Sequence, residues 1–317
     1  DNVRWIGATN ADWSTTTNWS NGKVPSTTAS PIITNLGTSP AISSDDGSSG
    51  DVTLKNITVN SGAALTIDKE ASLTLSGNYS NSGSVILNSD ANEFAVIKVG
   101  GSATGKITYN RWVNAVGTNG WDLIGSPVDG LSISSFASTN ASPLATGGGS
   151  GGNQYAIGYY DNSQSSSSAA WSNYTSDGAG STTNISAAGN FIKGKGYQMA
   201  TDSGATLAFT GTIATSDQTQ AVQDYSGASG RIWNLVANPY PSYINANSNA
   251  GANNVWAFNR AAHYEGINAH GQLSTHQELL PTPAHKILLE SISSQRDGTQ
   301  NALQEYYAQL PSMSDVD

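Results

Sequence analysis

Two groups of aromatic residues flank polar loops in this chain, and they are its clearest candidates for chemistry. Tyr159, Tyr160, Trp171 and Tyr174 bracket a Ser-rich loop at 162–169, while Tyr240 and Tyr243 bracket Pro241. Such rings stack on sugars, and neighbouring Asn and Ser supply hydrogen bonds. These six are the candidate glycan-binding residues, with core packing of half of them as the competing reading, because aromatics dominate core energetics. A second candidate is the run Asp45-Asp46-Gly47-Ser48-Ser49-Gly50-Asp51. Oxygen-rich loops with Gly suit calcium, and Asp45, Asp46 and Asp51 would be the ligands. The run lacks the carboxylate steps and distal Glu of an EF-hand loop, so a plain acidic turn competes. No other cofactor is expected.

Reactive chemistry finds little support, and no catalytic residue is assigned. Glycosidases commonly use two carboxylates flanking the bond. Before residue 260 the only glutamates are Glu70 and Glu93, both near strand-like segments. Asp122 has Asn234 as its counterpart in a repeated phrase, and a position that accepts either suits a structural hydrogen bond. No His precedes His263, so a Ser-His-Asp triad would have to borrow one from the tail. Tyr109 and Arg111 could be written as the base and charge-neutralising pair of a lyase, but their neighbours look like a packed strand. His263, His270, His276 and His285 lack the i, i+4 pairing of a helical zinc motif. A non-enzymatic role is expected ahead of an enzymatic one.

Composition narrows the classes further. The chain has 317 residues, of which 37% are hydrophobic and only 11% charged, with Gly, Ser, Thr and Asn filling the difference. That balance fits short strands and many turns. A net charge of −10 repels phosphate backbones, so nucleic acid is not an expected partner. Without cysteine there is no disulfide framework and no zinc thiolate site. No apolar run is long enough for a transmembrane helix. Asp1 stands where a processed mature chain would start, and export is expected from composition.

The elements that must carry these residues are mainly β. Val52-Thr-Leu54, Ile57-Thr-Val59, Leu65-Thr-Ile67 and Leu73-Thr-Leu75 alternate apolar residues with Thr. Short strands at such even steps predict coils of a parallel β-helix, apolar side chains inward and Thr outward. A meandering sandwich is the alternative. Trp5, Trp13 and Trp19 precede these strands, either capping their open end or forming a sugar platform. Residues 121–127 read Trp-Asp-Leu-Ile-Gly-Ser-Pro, and residues 233–239 read Trp-Asn-Leu-Val-Ala-Asn-Pro. Each copy has the form of a short buried strand running into a turn, which suggests a duplicated β unit. The resulting division is 1–105, a Trp-rich segment and β-helix-like domain; 106–260, a β-sandwich-like domain with an internal repeat; and 261–317, a helical tail. Ala284–Ile292 is one helix candidate, and Thr299 could cap another carrying Leu303, Tyr306, Tyr307 and Leu310. The runs 137–154 and 162–169 are expected to be surface loops.

Several phrases in order carry a family resemblance. They include Trp13, Asn18-Trp19 and Val24-Pro25; Gly77-Asn78-Tyr79-Ser80-Asn81-Ser82-Gly83; Gly105-Lys106-Ile107-Thr108-Tyr109 with Arg111; Gly194-Lys195-Gly196-Tyr197; Phe209-Thr210-Gly211-Thr212; and Trp233 through Ser242. Over about residues 1–260 the chain resembles secreted, modular, adhesin-like cell-surface proteins of Bacteroidetes, the flavobacterial kind exported by type IX secretion. The resemblance implies a secreted, extracellular location on the outer surface of a Gram-negative bacterium. Such chains commonly continue with a further Gly-kinked strand and a sorting domain, and here that pattern stops after Asn259. A missing strand would leave an open edge, and open edges recruit strands. The expected function is therefore that of an extracellular structural or adhesin-like protein acting through self-association or surface contact. Its partners would be another copy, a strand-donating chain or a polysaccharide. The alternative is an accessory carbohydrate-binding region of a polysaccharide-degrading system, and behind it a lyase or hydrolase.

Overall fold

Alternating apolar and Thr residues force every second side chain to one face of a strand, and the first hundred residues turn that face inward. The computed structural model describes residues 3–47, 50–116, 121–147, 154–178, 183–225, 233–244, 255–258 and 286–290. Twelve strands open the chain: β1 Arg4–Trp5, β2 Ile32–Ile33, β3 Ala41–Ile42, β4 Asp51–Leu54, β5 Ile57–Val59, β6 Ala64–Ile67, β7 Ser72–Leu75, β8 Tyr79–Asn81, β9 Ser84–Leu87, β10 Val96–Val99, β11 Ala103–Thr104 and β12 Lys106–Val113. They wind into a three-sided parallel solenoid. One side stacks β1-β2-β5-β8-β11, the second β3-β6-β9-β12 and the third β4-β7-β10. The sequence expectation of a parallel β-helix is met, over about three coils.

Register explains why the repeats stack. Ile42, Ile67, Leu87 and Tyr109 are successive partners in one inward ladder. Leu54, Leu75 and Val99 form another, while Thr53, Thr74 and Lys98 run beside it on the outer face. Corners are stitched by amides. Asn56 Oδ1 accepts the Asn78 backbone N–H at 2.7 Å, and Asn78 Oδ1 accepts that of Ser102 at 3.0 Å. At a second corner Asn88 donates to Asp68 and Asn110 donates to Asn88, both at 3.1 Å. Gly105 starts the last coil at φ +91°, and a Cβ there would lie 2.0 Å from the Asn81 carbonyl oxygen. Only glycine fits that corner.

The first end of the solenoid is sealed by Trp5, Trp13 and Trp19, each no more than 1% exposed. Trp19 sits edge-on to Trp5 and Trp13, with ring centroids 5.0 and 4.7 Å away. Trp5 Nε1 donates to the Thr38 carbonyl at 2.6 Å, and Trp19 Nε1 to that of Trp13 at 2.9 Å. These residues cap the core, and none is available as a sugar platform. Burying each ring contributes about 4–6 kcal/mol of gross transfer free energy.

The other end is closed by returning chain. After β12 come β13 Asp122–Ile124, α1 Ile133–Thr139, β14 Gln154–Tyr160, α2 Ser167–Ala170, β15 Trp171–Thr175, β16 Tyr197–Met199 and β17 Ala205–Thr212. Strand β17 pairs antiparallel with β12, from Lys106 opposite Thr212 to Val113 opposite Ala205. It thereby extends the solenoid sheet and places Phe209 next to Tyr109 in the inward ladder. Strands β13-β16-β14-β15 form a separate antiparallel sheet. Phe136, Phe191, Tyr197 and Phe209 fill the space between, with successive ring contacts of 4.5–5.2 Å. The core therefore runs without a break from Val3 to Ile213, across the expected boundary at 105/106.

Two elements differ from expectation. Helix α1 stands at the start of the expected loop; its N-cap Ser132 accepts the Ser135 N–H, and Phe136 is fully buried. Its C-cap Asn140 bonds both the N–H and the C=O of Ala208, blocking the free edge of β17. Further along, β18 Trp233–Val236, β19 Val255–Phe258 and, in the tail, β20 Lys286–Glu290 form a parallel sheet with β20 in the middle. The apolar helix expected over Ala284–Ile292 is thus a strand across 286–290. A run this short carries no period that distinguishes the two. The second helix candidate and all four histidines lie outside the described residues.

Replacing Trp19 with Ala should cost about 3–5 kcal/mol of stability, because the cavity opens inside a sealed end. Urea unfolding followed by circular dichroism will measure it.

Candidate functional site

The two repeated phrases meet, and their meeting builds the region of interest. Each polar position ties down the chain before its strand. Asp122 accepts the Asn114 N–H at 2.8 Å and the Asn114 side-chain amide at 2.7 Å. Asn234 accepts the Gln223 N–H at 2.9 Å and donates to the Gln223 carbonyl at 2.8 Å. This is the structural hydrogen bond expected from the sequence, and it removes Asp122 from the list of reactive groups. Gly125 and Ala237, at equivalent places in the phrases, touch: a Cβ on Gly125 would fall 2.3 Å from that of Ala237. Ahead of each proline a polar side chain makes a turn. Ser126 donates to the Val128 carbonyl at 2.7 Å. Asn238, only 2% exposed, accepts the Tyr240 N–H at 2.9 Å and donates to the Ser242 carbonyl at 2.5 Å.

The second turn lays Tyr240–Ser242 against the solenoid. The Ile97 N–H donates to the Pro241 carbonyl at 2.9 Å, covering the outer edge of β10. The Tyr240 hydroxyl donates to the Ser216 carbonyl at 2.9 Å. A cleft of about 200 Å³ remains between β10, residues 213–217 and Tyr240–Ser242. Tyr240 lines it, whereas Tyr243 is not part of its lining and is 46% exposed. Arg111 is buried with its guanidinium 3.9 Å from the Phe94 ring centroid, and Tyr109 donates to the Ala95 carbonyl at 3.1 Å. Both are engaged inside the junction, which disfavours the lyase pairing.

The other four aromatics divide between two faces of the antiparallel sheet. Tyr159 and Tyr174 pack together at 5.5 Å on the core face, and burial pushes the Tyr174 phenol up. Lys195 lies 5.0 Å from the Tyr159 ring, and burial holds its ammonium below the usual lysine value. Tyr160 and Trp171 are cross-strand partners on the opposite face, ring centroids 4.9 Å apart. Gly158, two residues before Tyr160, shares that face. Its partners are Asn173 on β15 and Gln198 on β16. A Cβ on Gly158 would lie 2.3 Å from Asn173 Oδ1, so glycine lets the two amides lie across the strand. Gln198 Nε2 donates to Asn173 Oδ1 at 2.5 Å. Asn173 Nδ2 and Gln198 Oε1 have no partner among the described residues, leaving a donor and an acceptor beside the aromatic pair. Neither amide was singled out in the sequence, because only the register of β14 brings them together.

The calcium candidates do not converge. Asp45 and Asp51 are exposed, whereas Asp46 is fully buried. Asp46 accepts the N–H of Ser43 at 2.8 Å and of Ser14 at 2.9 Å. Asp51 accepts the Ser72 hydroxyl across the ladder. Among the described residues no three acidic or histidine side chains gather as a metal site. Asp46 instead pins the turn before β4 to the capping segment. Its burial holds the carboxyl above its ordinary value, with the Ser43 and Ser14 donors and nearby Asp12 as smaller influences. Hydrogen bonds from Ser14 and Thr15 hold Asp12 below the usual carboxylate value.

Residues 4–260 match a family described as a domain of unknown function, DUF8693, and the chain belongs to that family. No curated protein and no solved structure matches the chain.

Asn238→Ala should lose both turn bonds, cost about 1–3 kcal/mol and loosen Tyr240–Ser242; hydrogen exchange at Ile97 will report the loosening. Asp46→Ala should cost about 1–3 kcal/mol through its stranded amide donors. Because the folded Asp46 pKa is raised, its contribution is fully present below the unfolded carboxylate pKa and declines as pH rises through the folded value. The loss in the variant should therefore be larger at acid pH than at neutral pH in paired urea titrations.

Proposed function

We propose that the chain is an extracellular, adhesin-like module that acts by surface contact, holding carbohydrate on the outer face of its antiparallel sheet. The observation that carries this reading is the strip formed by Tyr160, Trp171, Asn173 and Gln198. It combines aromatic surface with an unspent amide donor and acceptor on neighbouring strands of a sheet, a rigid support. A neutral sugar needs that combination: apolar C–H faces against rings, and hydroxyls that donate and accept at once. The low charge of the whole chain agrees with a neutral ligand. The groups hydrolysis or elimination would need, Asp122, Tyr109 and Arg111, are occupied in holding the fold. An exported location at the outer surface of a Gram-negative cell follows from the resemblance already described and belongs to the same reading.

Self-association is the weaker route. The Trp cap covers one end of the solenoid, and Asn140 and Pro241 cover strand edges near the other. Covered edges resist strand addition.

Affinity electrophoresis through gels containing xylan, laminarin or glucomannan tests the reading. The chain should be retarded by at least one of them. Trp171→Ala and Asn173→Ala should each weaken that retardation by about tenfold or more, without changing the sedimentation profile. Equal mobility in all three gels, or retardation that both variants keep, would overturn it.

A further inference from the structure

The junction cleft is a second candidate site, built from residues other than those of the strip. Its walls are held by hydrogen bonds from Ile97 to Pro241 and from Tyr240 to Ser216, so it is a built feature of the fold. Val99, Ile213, Tyr240 and Pro241 supply apolar lining. Lys98 and Asp217 line it as well, and neither has an ion-pair or hydrogen-bond partner among the described residues. Lys98 occupies the outward ladder position where the two earlier coils carry Thr53 and Thr74. A cation thus enters the ladder only at the coil that borders the cleft. An unpaired acid and base in one cleft, with hydroxyls at Thr215, Ser216 and Ser242, define a ligand with matching parts.

We propose that this cleft binds a single acidic sugar, a uronate. Its carboxylate accepts a charge-assisted hydrogen bond from Lys98. Its hydroxyls donate to Asp217, a pure acceptor, and exchange hydrogen bonds with the serine and threonine hydroxyls. Its C–H face meets the apolar lining. An inorganic anion would leave about 200 Å³ mostly unfilled and would face the Asp217 carboxylate. A zwitterionic amino acid would satisfy both charges but leave the hydroxyl lining unused. The proposal shares the carbohydrate class of the strip reading and rests on different residues.

Saturation-transfer NMR of the full chain with D-glucuronate, methyl β-D-glucoside and glycine tests it. Glucuronate should bind saturably with a Kd on the order of 1 mM, weakening with salt. The glucoside and glycine should bind at least about tenfold more weakly. Lys98→Met and Asp217→Asn should each lower glucuronate affinity by about tenfold, while Trp171→Ala leaves it unchanged. Absence of saturable glucuronate binding, equal binding of the glucoside or glycine, or indifference to both cleft variants would overturn the proposal. Retardation in polysaccharide gels that Trp171→Ala abolishes would stand apart from any of these results, so the two readings can fail separately.

Discussion

A stack of parallel coils gains its stability from lateral hydrogen bonds and inward ladders, and any such stack has two ends. Each end exposes a cross-section of apolar core and a rim of unpaired backbone groups. Closing those ends is the constraint on which the rest of this molecule depends. At the first end three tryptophans lie over the core, and the bridge between Trp5 and Trp19 covers the rim. At the second end the chain reverses: β17 runs back along β12, α1 places Phe136 on Phe209, and Asn140 closes the last edge. The third sheet needs its own seal at β10, and the Pro241 carbonyl supplies the acceptor there. The cleft exists because that seal is a turn standing off the strand rather than another strand lying flush against it.

The parts of this fold that follow a local period were legible in the sequence. Val52, Leu54, Leu73 and Leu75 announce an inward face because strand side chains alternate strictly, and the intervening threonines fix its orientation. The structural role of the Asp122 and Asn234 positions was legible because the duplicated phrase allows one position to be compared with another. Helix α1 was hidden: its residues Ile-Ser-Ser-Phe-Ala-Ser-Thr have modest helix propensity and resemble the polar loop that follows. Its existence depends on the local cap at Ser132 and on burial of Phe136, and the second of these is set by tertiary packing. The strand at 286–290 was hidden for the opposite reason, since a short apolar run suits either element.

The candidate sites show the same division. Tyr240 stood out because it and Tyr243 bracket Pro241, and aromatics that flank polar turns suit sugar stacking. Tyr160 and Trp171 stood out as loop-flanking aromatics, yet nothing local separated them from Tyr159 and Tyr174. Strand alternation does separate Tyr159 from Tyr160, one facing the core and the other facing out, once the strand is placed. Asn173 and Gln198 could not be found, because they meet only across Gly158, through the register of three strands. Lys98 and Asp217 are likewise joined only by the returning chain. Polar groups that cooperate across strands leave no spacing to read.

The duplicated phrase ties these surfaces to one support. Strand β16 pairs with β13 of the first phrase, and the residues just before it bond the second phrase, with Gly196 donating to Leu235 and Ala237 donating to Gly194. Gln198 of the strip is therefore two residues from the backbone that holds Leu235 in place. The turn carrying Tyr240 begins at Asn238, directly after the contact of Ala237 with Gly125. The phrases differ where this geometry requires it: Gly125 has no side chain because Ala237 fills its space, and Asn238 braces a longer turn than Ser126 does. The two phrases thus enter different sheets, β13 pairing with β16 and β18 with β20, and the contact of Gly125 with Ala237 just past them sets where the turn that walls the cleft begins.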